Sequence, residues 1–349
     1  MRQSKRSSIL FSAVFLLCIM LVFTACGSGG GSGGGSKGGA SLVSITPDNA
    51  AGIAGQVNES QSSVSQASKT GGTGGGIFGL VRQNPDSPEK GIGIVELVAW
   101  QIKKISDNKE AVSQAPLAGA SQSINAPCDG AGSMDITVTY KDPKAVSAGD
   151  TIKITYNNCR IAAEGGTGTA NGTMTMKFNS GADMKANPVH LDVTCTFSSL
   201  QFNLPDDNCT INGTMKINMS VNTYNDDISG NVSGSSLSVS YGPDDVRTIK
   251  NYTMDITIDG GTEDYSYTYN GTLDSSHTLG GSVSFNTTTR FEGYGSDYPH
   301  KGVMLISGAN NTSVTLKVID NSQVTLDIDA DGDGTAETTL TKSWAEVDI

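Results

Sequence analysis

From Met134 to its end the chain alternates apolar and polar residues with a period of two, and that pattern restricts this part of the chain to β structure. Successive side chains of an extended strand leave opposite faces, so Ile136, Val138 and Tyr140 share one face and Thr137 and Thr139 the other. The rule sorts Ile152, Ile154 and Tyr156, then Met174, Met176 and Phe178, then Leu191, Val193, Cys195 and Phe197. It continues through Met215, Ile217, Met219 and Val221, then Met254, Ile256 and Ile258, then Val314, Leu316 and Val318, then Val324, Leu326 and Ile328. Turn signals such as Gly165-Gly166, Asp259-Gly260-Gly261 and Asp320-Asn321-Ser322 separate the segments. Such connections are too short for crossover helices, so roughly a dozen strands form an antiparallel up-and-down meander. The expected fold is mainly β: a large antiparallel meander curled into a half-barrel, barrel or sandwich, with one or two N-terminal helices packed on its apolar face. Asn171-Gly172-Thr173, Asn212-Gly213-Thr214 and Asn270-Gly271-Thr272 recur at unequal spacing, which reads as repeated strand-entry chemistry rather than an internal repeat.

Upstream of the sheet the signals are helical and irregular. Thr46-Pro47-Asp48-Asn49 opens a helix expected to run to about Ala67. A second, from about Gly93 to Ile105, carries Ile94, Leu97, Val98, Ile102 and Ile105 at near-helical spacing. Residues 109–126 read as a loop. The chain thus divides into residues 1–25, 26–45, 46–127 and a β domain at 128–349.

Residues 1–25 have the three-part layout of a secretory signal: Arg2, Lys5 and Arg6, an apolar run from Ile9 to Phe23, then Thr24, Ala25 and Cys26. The run is short for a bilayer-spanning helix, which needs roughly 20 residues. Small residues directly before Cys26 resemble the lipobox of bacterial lipoproteins, a resemblance that implies acylation of the Cys26 sulfur and cleavage before it; Phe23 stands where Leu is commonest. Gly27 to Ala40 is almost wholly Gly and Ser, a tether too poor in side chains to bury apolar area. Two or more acyl chains anchor a protein stably, and by the same resemblance Gly27 implies passage to the outer membrane, facing the periplasm or the cell surface. Loss of the signal leaves 20 Lys and Arg against 35 Asp and Glu, a net of −15. With no basic run, nucleic acid is not an expected partner.

Cys128, Cys159, Cys195 and Cys209 remain in the exported chain, an even number that predicts disulfides. A hairpin turning near residue 145 brings Cys128 and Cys159 to one end, and Cys195 and Cys209 share apolar parity on neighbouring strands. The expected pairs are therefore 128–159 and 195–209.

Catalytic signals are few. His190, His277 and His300 lack the paired spacing of a zinc site, and the Gly-rich matches to nucleotide or nucleophile motifs lie in linkers rather than between strand and helix. No enzymatic activity is expected. The sharpest local signal is Asp327-Ile-Asp329-Ala-Asp331-Gly-Asp333, followed by Glu337, which spaces carboxylates as a hard cation such as Ca²⁺ requires. Its first six residues match an EF-hand loop, but Thr338 occupies the twelfth position and the flanks read as strands, making this a β-hairpin loop. Tyr265, Tyr267 and Tyr269 line one strand face, as a weak ligand platform or as cross-strand packing.

The lipobox, tether, Thr-Pro-Asp-Asn helix start, Cys-bounded meander and Asp-rich hairpin near Trp344 together resemble a group of uncharacterised Gram-negative bacterial lipoproteins. The resemblance implies a location and a β-rich shape. The leading expectation is a lipoprotein carrying an apolar or lipid-like ligand in a concave sheet; the alternative is a cell-surface structural or adhesion protein.

Overall fold

The computed structural model describes residues 41–60 and 121–347, apart from a few turn residues. The chain winds into fourteen strands: β1 (Ser121–Pro127), β2 (Ser133–Thr139), β3 (Thr151–Ala163), β4 (Gly166–Phe178), β5 (Val189–Asn203), β6 (Asn208–Val221) and β7 (Ile228–Ser240). They continue as β8 (Val246–Ile258), β9 (Asp264–Ser275), β10 (Gly281–Tyr294), β11 (Lys301–Ser307), β12 (Ser313–Val318), β13 (Gln323–Asp329) and β14 (Thr338–Ser343). Within the sheet each described strand pairs only with the strands next to it in sequence, and β1 and β14 do not pair with each other. The fold is therefore an antiparallel meander that does not close into a barrel.

Two expectations upstream are corrected. Residues 121–126, read as loop, belong to the edge strand β1, whose register runs from Ser121 opposite Thr139 to Pro127 opposite Ser133. Its Ser, Gln and Asn content hid it, because an edge strand needs no continuous apolar face. The first helix, α1, is Ala50–Glu59 and so ends well before Ala67. Thr46 to Asn49 forms the turn ahead of it, where Asn49 Oδ1 accepts the Thr46 N–H at 2.8 Å. The Gly93–Ile105 candidate and the lipobox with its tether lie outside the described residues.

The apolar positions marked by the alternation do form the core. Met134, Ile217, Leu237, Val283 and Leu326 are all fully buried. Ile53, Ala54 and Val57 of α1 pack at the β12–β13 end, beside α2 (Trp344–Val347). Glu346 closes the start of α2, its carboxylate accepting both the Ser343 N–H at 2.8 Å and the Ser343 hydroxyl at 2.9 Å. Those bonds and Lys342 pull the Glu346 carboxyl down to about 2.

The outward face is tied by cross-strand polar rungs. Asp135 accepts from Asn125 of β1 and Asn157 of β3, and Asp255 from Asn231 of β7 and Thr268 of β9.

Curvature comes from a line of bulges. The register slips between Tyr156 and Cys159 on β3, Asn171 and Thr173 on β4, Phe197 and Leu200 on β5, Thr214 and Lys216 on β6, and Lys250 and Thr253 on β8. Asn158, Ser199 and Asn251 take φ of 48°, 47° and 47° at these points. The Asn-Gly-Thr segments belong here, in mid-strand rather than at strand entries. Asn171 Oδ1 accepts the Asn158 N–H at 2.8 Å, Asn212 Oδ1 the Ser199 N–H at 2.7 Å, and Asn270 Oδ1 the Thr287 N–H at 3.0 Å. Each asparagine thus satisfies a backbone donor that the neighbouring bulge removes from the ladder. The bulges sit at nearly one level across β3 to β10, and since a bulge bends its strand, that level is the crease expected of the sheet.

Candidate metal centre

The β13–β14 hairpin presents the sharpest cluster of chemistry. Carboxylate oxygens of Asp329, Asp331, Asp333 and Glu337 lie within 4.8 Å of one another. Backbone donors preorganise them. Asp329 is buried and grips the turn through both oxygens, accepting the Gly332 N–H at 2.7 Å and the Gly334 N–H at 2.9 Å. Asp331 accepts from Asp333 N–H at 3.0 Å, Asp333 from Thr335 N–H at 2.7 Å, and Glu337 from Ala330 N–H at 2.7 Å. Gly332 and Gly334 adopt φ of 81° and 89°, which glycine reaches without a Cβ penalty. The turn leans on residues 308–312, where a Cβ at Gly332 would overlap the Asn310 carbonyl oxygen.

Four acidic side chains converging on one point can hold a metal ion: their oxygens are hard donors, and each carboxylate keeps lone pairs beyond those spent on the backbone. One expected ligand is corrected. Asp327 stays in the ladder opposite Thr315 and Thr339, bonded to Lys317 and the Thr339 hydroxyl. The hydrogen bond from Lys317, then that from Thr339, lowers its pKa. The acidic set therefore begins at Asp329, two residues later than the EF-hand frame requires, so the position of Thr338 in that frame is immaterial.

The cysteine expectation is half met. Cys128 and Cys159 form a disulfide with Cα atoms 5.4 Å apart. Cys195 and Cys209 are free and buried. Cys209 pairs in register with Phe202 and Cys195 with Met215, so the two thiols lie roughly 20 Å apart along the strands, far beyond the ~7 Å Cα limit of a disulfide. Burial pushes the Cys195 thiol up to about 12.

Tyr265, Tyr267 and Tyr269 face inward and are at most 3% exposed. Tyr267 stacks on Phe291 at 5.1 Å and Tyr269 tilts against Phe285 at 4.6 Å, which makes them cross-strand core packing rather than a surface platform. Such rings need room: a Cβ at Gly293 would overlap the Tyr265 phenol. The histidines stay apart: His190 lies on β5, His277 in the β9–β10 turn and His300 ahead of β11.

Among the described residues no helix is long and apolar enough to cross a membrane. No protein family, curated protein or solved structure shows significant similarity to this chain.

Proposed function

We propose that this chain is a non-catalytic outer-membrane lipoprotein, tethered through acylated Cys26, whose sheet is a structural or adhesive scaffold facing the periplasm or the cell surface. The observation that carries the reading is the division of the sheet's two faces. Most inward apolar residues between Met134 on β2 and Ile328 on β13 are buried, with Val138, Ile152, Phe178 and Val318 partly so, while the outward face is a lattice of polar rungs. A face so fully occupied supports a rigid scaffold over a trough that loads and releases cargo. The signal layout, the Gly/Ser tether and the acidity of the exported part support the anchor and an absence of nucleic-acid partners.

The carrier reading draws on a different observation. The Tyr156 hydroxyl is buried without a hydrogen-bond partner, a donor that the carbonyl of an apolar or lipid-like ligand would satisfy. Protease treatment of whole cells, with mass spectrometry of the mature N-terminus, tests the assignment. A diacylated or triacylated Cys26 and cleavage in intact cells are expected. An unmodified Cys26 removes the anchor, and tight binding of a hydrophobic probe by the purified protein moves the assignment to the carrier.

In the same reading the β13–β14 cluster holds Ca²⁺ and stiffens the last hairpin. Binding only the folded state, Ca²⁺ at a hundred times its Kd stabilises by about 2.7 kcal/mol. The thermal midpoint is expected to rise on adding Ca²⁺ after chelation, and Asp331→Asn with Asp333→Asn to abolish the rise. An identical midpoint with and without chelator disproves the site.

A further inference from the structure

We propose that the turn end formed by residues 259–264, 294–295, 297–300 and 319–322 is a docking surface for a basic, arginine-bearing polypeptide. The inference rests on the surface-scaffold reading for its biological setting and on the following geometry for its chemistry. Five large apolar side chains are notably exposed among the described residues, and three of them, Tyr294, Tyr298 and Ile319, lie in this patch, with Tyr224 on another turn at the same end of the strands. Tyr294 is 53% exposed, Ile319 50% and Tyr298 37%.

The patch has a stiff floor. Tyr298 stacks on the buried Trp344 at 5.3 Å and 7°, and Trp344 donates its indole N–H to Asp320 O at 3.2 Å and its backbone N–H to Ser322 O at 3.0 Å. Neighbouring turns are joined as well: Gly295 N–H donates to Glu263 O at 2.9 Å, and the Tyr265 hydroxyl to Asp297 O at 2.6 Å. Rings held in place bind a partner with little further loss of conformational freedom.

Charge selects the partner. Tyr294 sits opposite Asp264 in the β9–β10 register, Glu263 and Asp297 are exposed on the adjoining turns, and Asp320 is exposed beside Trp344 at the Tyr298 end of the patch. None of these four carboxylates has a Lys or Arg partner among the described residues, whereas the nearby Glu292 and Glu346 are neutralised by Lys301 and Lys342. Exposed tyrosine faces beside uncompensated carboxylates attract a guanidinium, which stacks on the ring and donates to the carboxylate. The patch also points away from the tethered end. The N-terminal segment joins the sheet at the opposite end of β10, where Leu42 bridges Ser282 and Ala309 N–H donates to Val43 O.

The test is fluorescence anisotropy of the full chain in detergent, at roughly physiological salt so that diffuse attraction is screened. The probe is a labelled peptide of alternating Gly and Arg, with its citrulline counterpart as the neutral isostere. Binding of the Arg peptide alone is expected, weakened about 2- to 5-fold by Tyr294→Leu and about tenfold when Asp297→Asn is added. Tyr224→Leu, on a more distant turn, should leave it unchanged. Equal binding of both peptides, full affinity in the Tyr294→Leu variant, or displacement of the peptide by maltohexaose would overturn the proposal, the last in favour of a glycan site. Failure of the surface reading shows separately, in the whole-cell protease result.

Discussion

Gly172→Ala is expected to destabilise the folded sheet by more than about 3 kcal/mol, lowering the thermal midpoint by roughly 6–12 °C for a domain of this size. Gly172 adopts φ of 99° within β4, where the strand meets the bulge of β5. An alanine there carries backbone strain, and its methyl overlaps the Ser199 carbonyl oxygen and carbon, backbone atoms that cannot swing aside. Ser199 cannot yield easily either, because its own φ of 47° is fixed by the hydrogen bond from its N–H to Asn212 Oδ1. Gly242→Ala is the comparison. That residue has φ of 118° and open space around it, so only the backbone term of about 1–2 kcal/mol applies. Urea unfolding of both variants gives the difference. Equal losses would mean that close approach at the crease contributes nothing, and that the bend arises from strand twist alone.

The crease also marks where the sequence stops being transparent. Strand identity was legible because a period of two is local: Met174 and Met176, or Val324 and Leu326, declare their face without reference to any other strand. The meander order followed from short connections. A mid-strand bulge breaks this logic, because it shifts parity within a single segment. Buried Phe197 is followed by buried Leu200 on β5, and buried Ile249 by buried Tyr252 on β8. The Asn-Gly-Thr recurrence was the available signal, since its asparagines reach across to the neighbouring bulge, but their partners lie on other strands.

Register explains the remaining misses. Asp327 and Asp329 look alike in sequence, yet the ladder ends between them, so one bonds Lys317 while the other closes the turn. The exposed Tyr294 is the last residue of β10 and Tyr298 lies in the segment after it, where the alternation gives out and no longer marks which side chains face solvent.

Removing the Cys128–Cys159 bridge is the second large effect expected. The bridge spans 31 residues, for which the loss of chain entropy in the unfolded state corresponds to about 3–4 kcal/mol. Its position adds to that figure. β1 is an edge strand held only by β2, and the disulfide pins the turn joining them to the bulge of β3, where Arg160 N–H also donates to Ala131 O at 2.9 Å. A Cys128→Ala, Cys159→Ala variant should therefore unfold at lower denaturant, and β1 amides should lose hydrogen-exchange protection first. Reductant should produce the same loss in the parent protein and nothing further in the variant. Peptide mapping without reduction should find this bridge alone, with Cys195 and Cys209 alkylated only after unfolding, since both are buried. The pairing of hairpins predicts that outcome: a hairpin joins residues equidistant from its closing pair, here Asn203 and Asn208, and Cys209 is one residue past Asn208 while Cys195 lies eight before Asn203. A 195–209 crosslink in the native protein would require β5 and β6 to slide past one another by several residues, carrying Met215, Ile217 and Met219 out of register with Cys195, Val193 and Leu191. The core on that side of the crease would not survive such a slip.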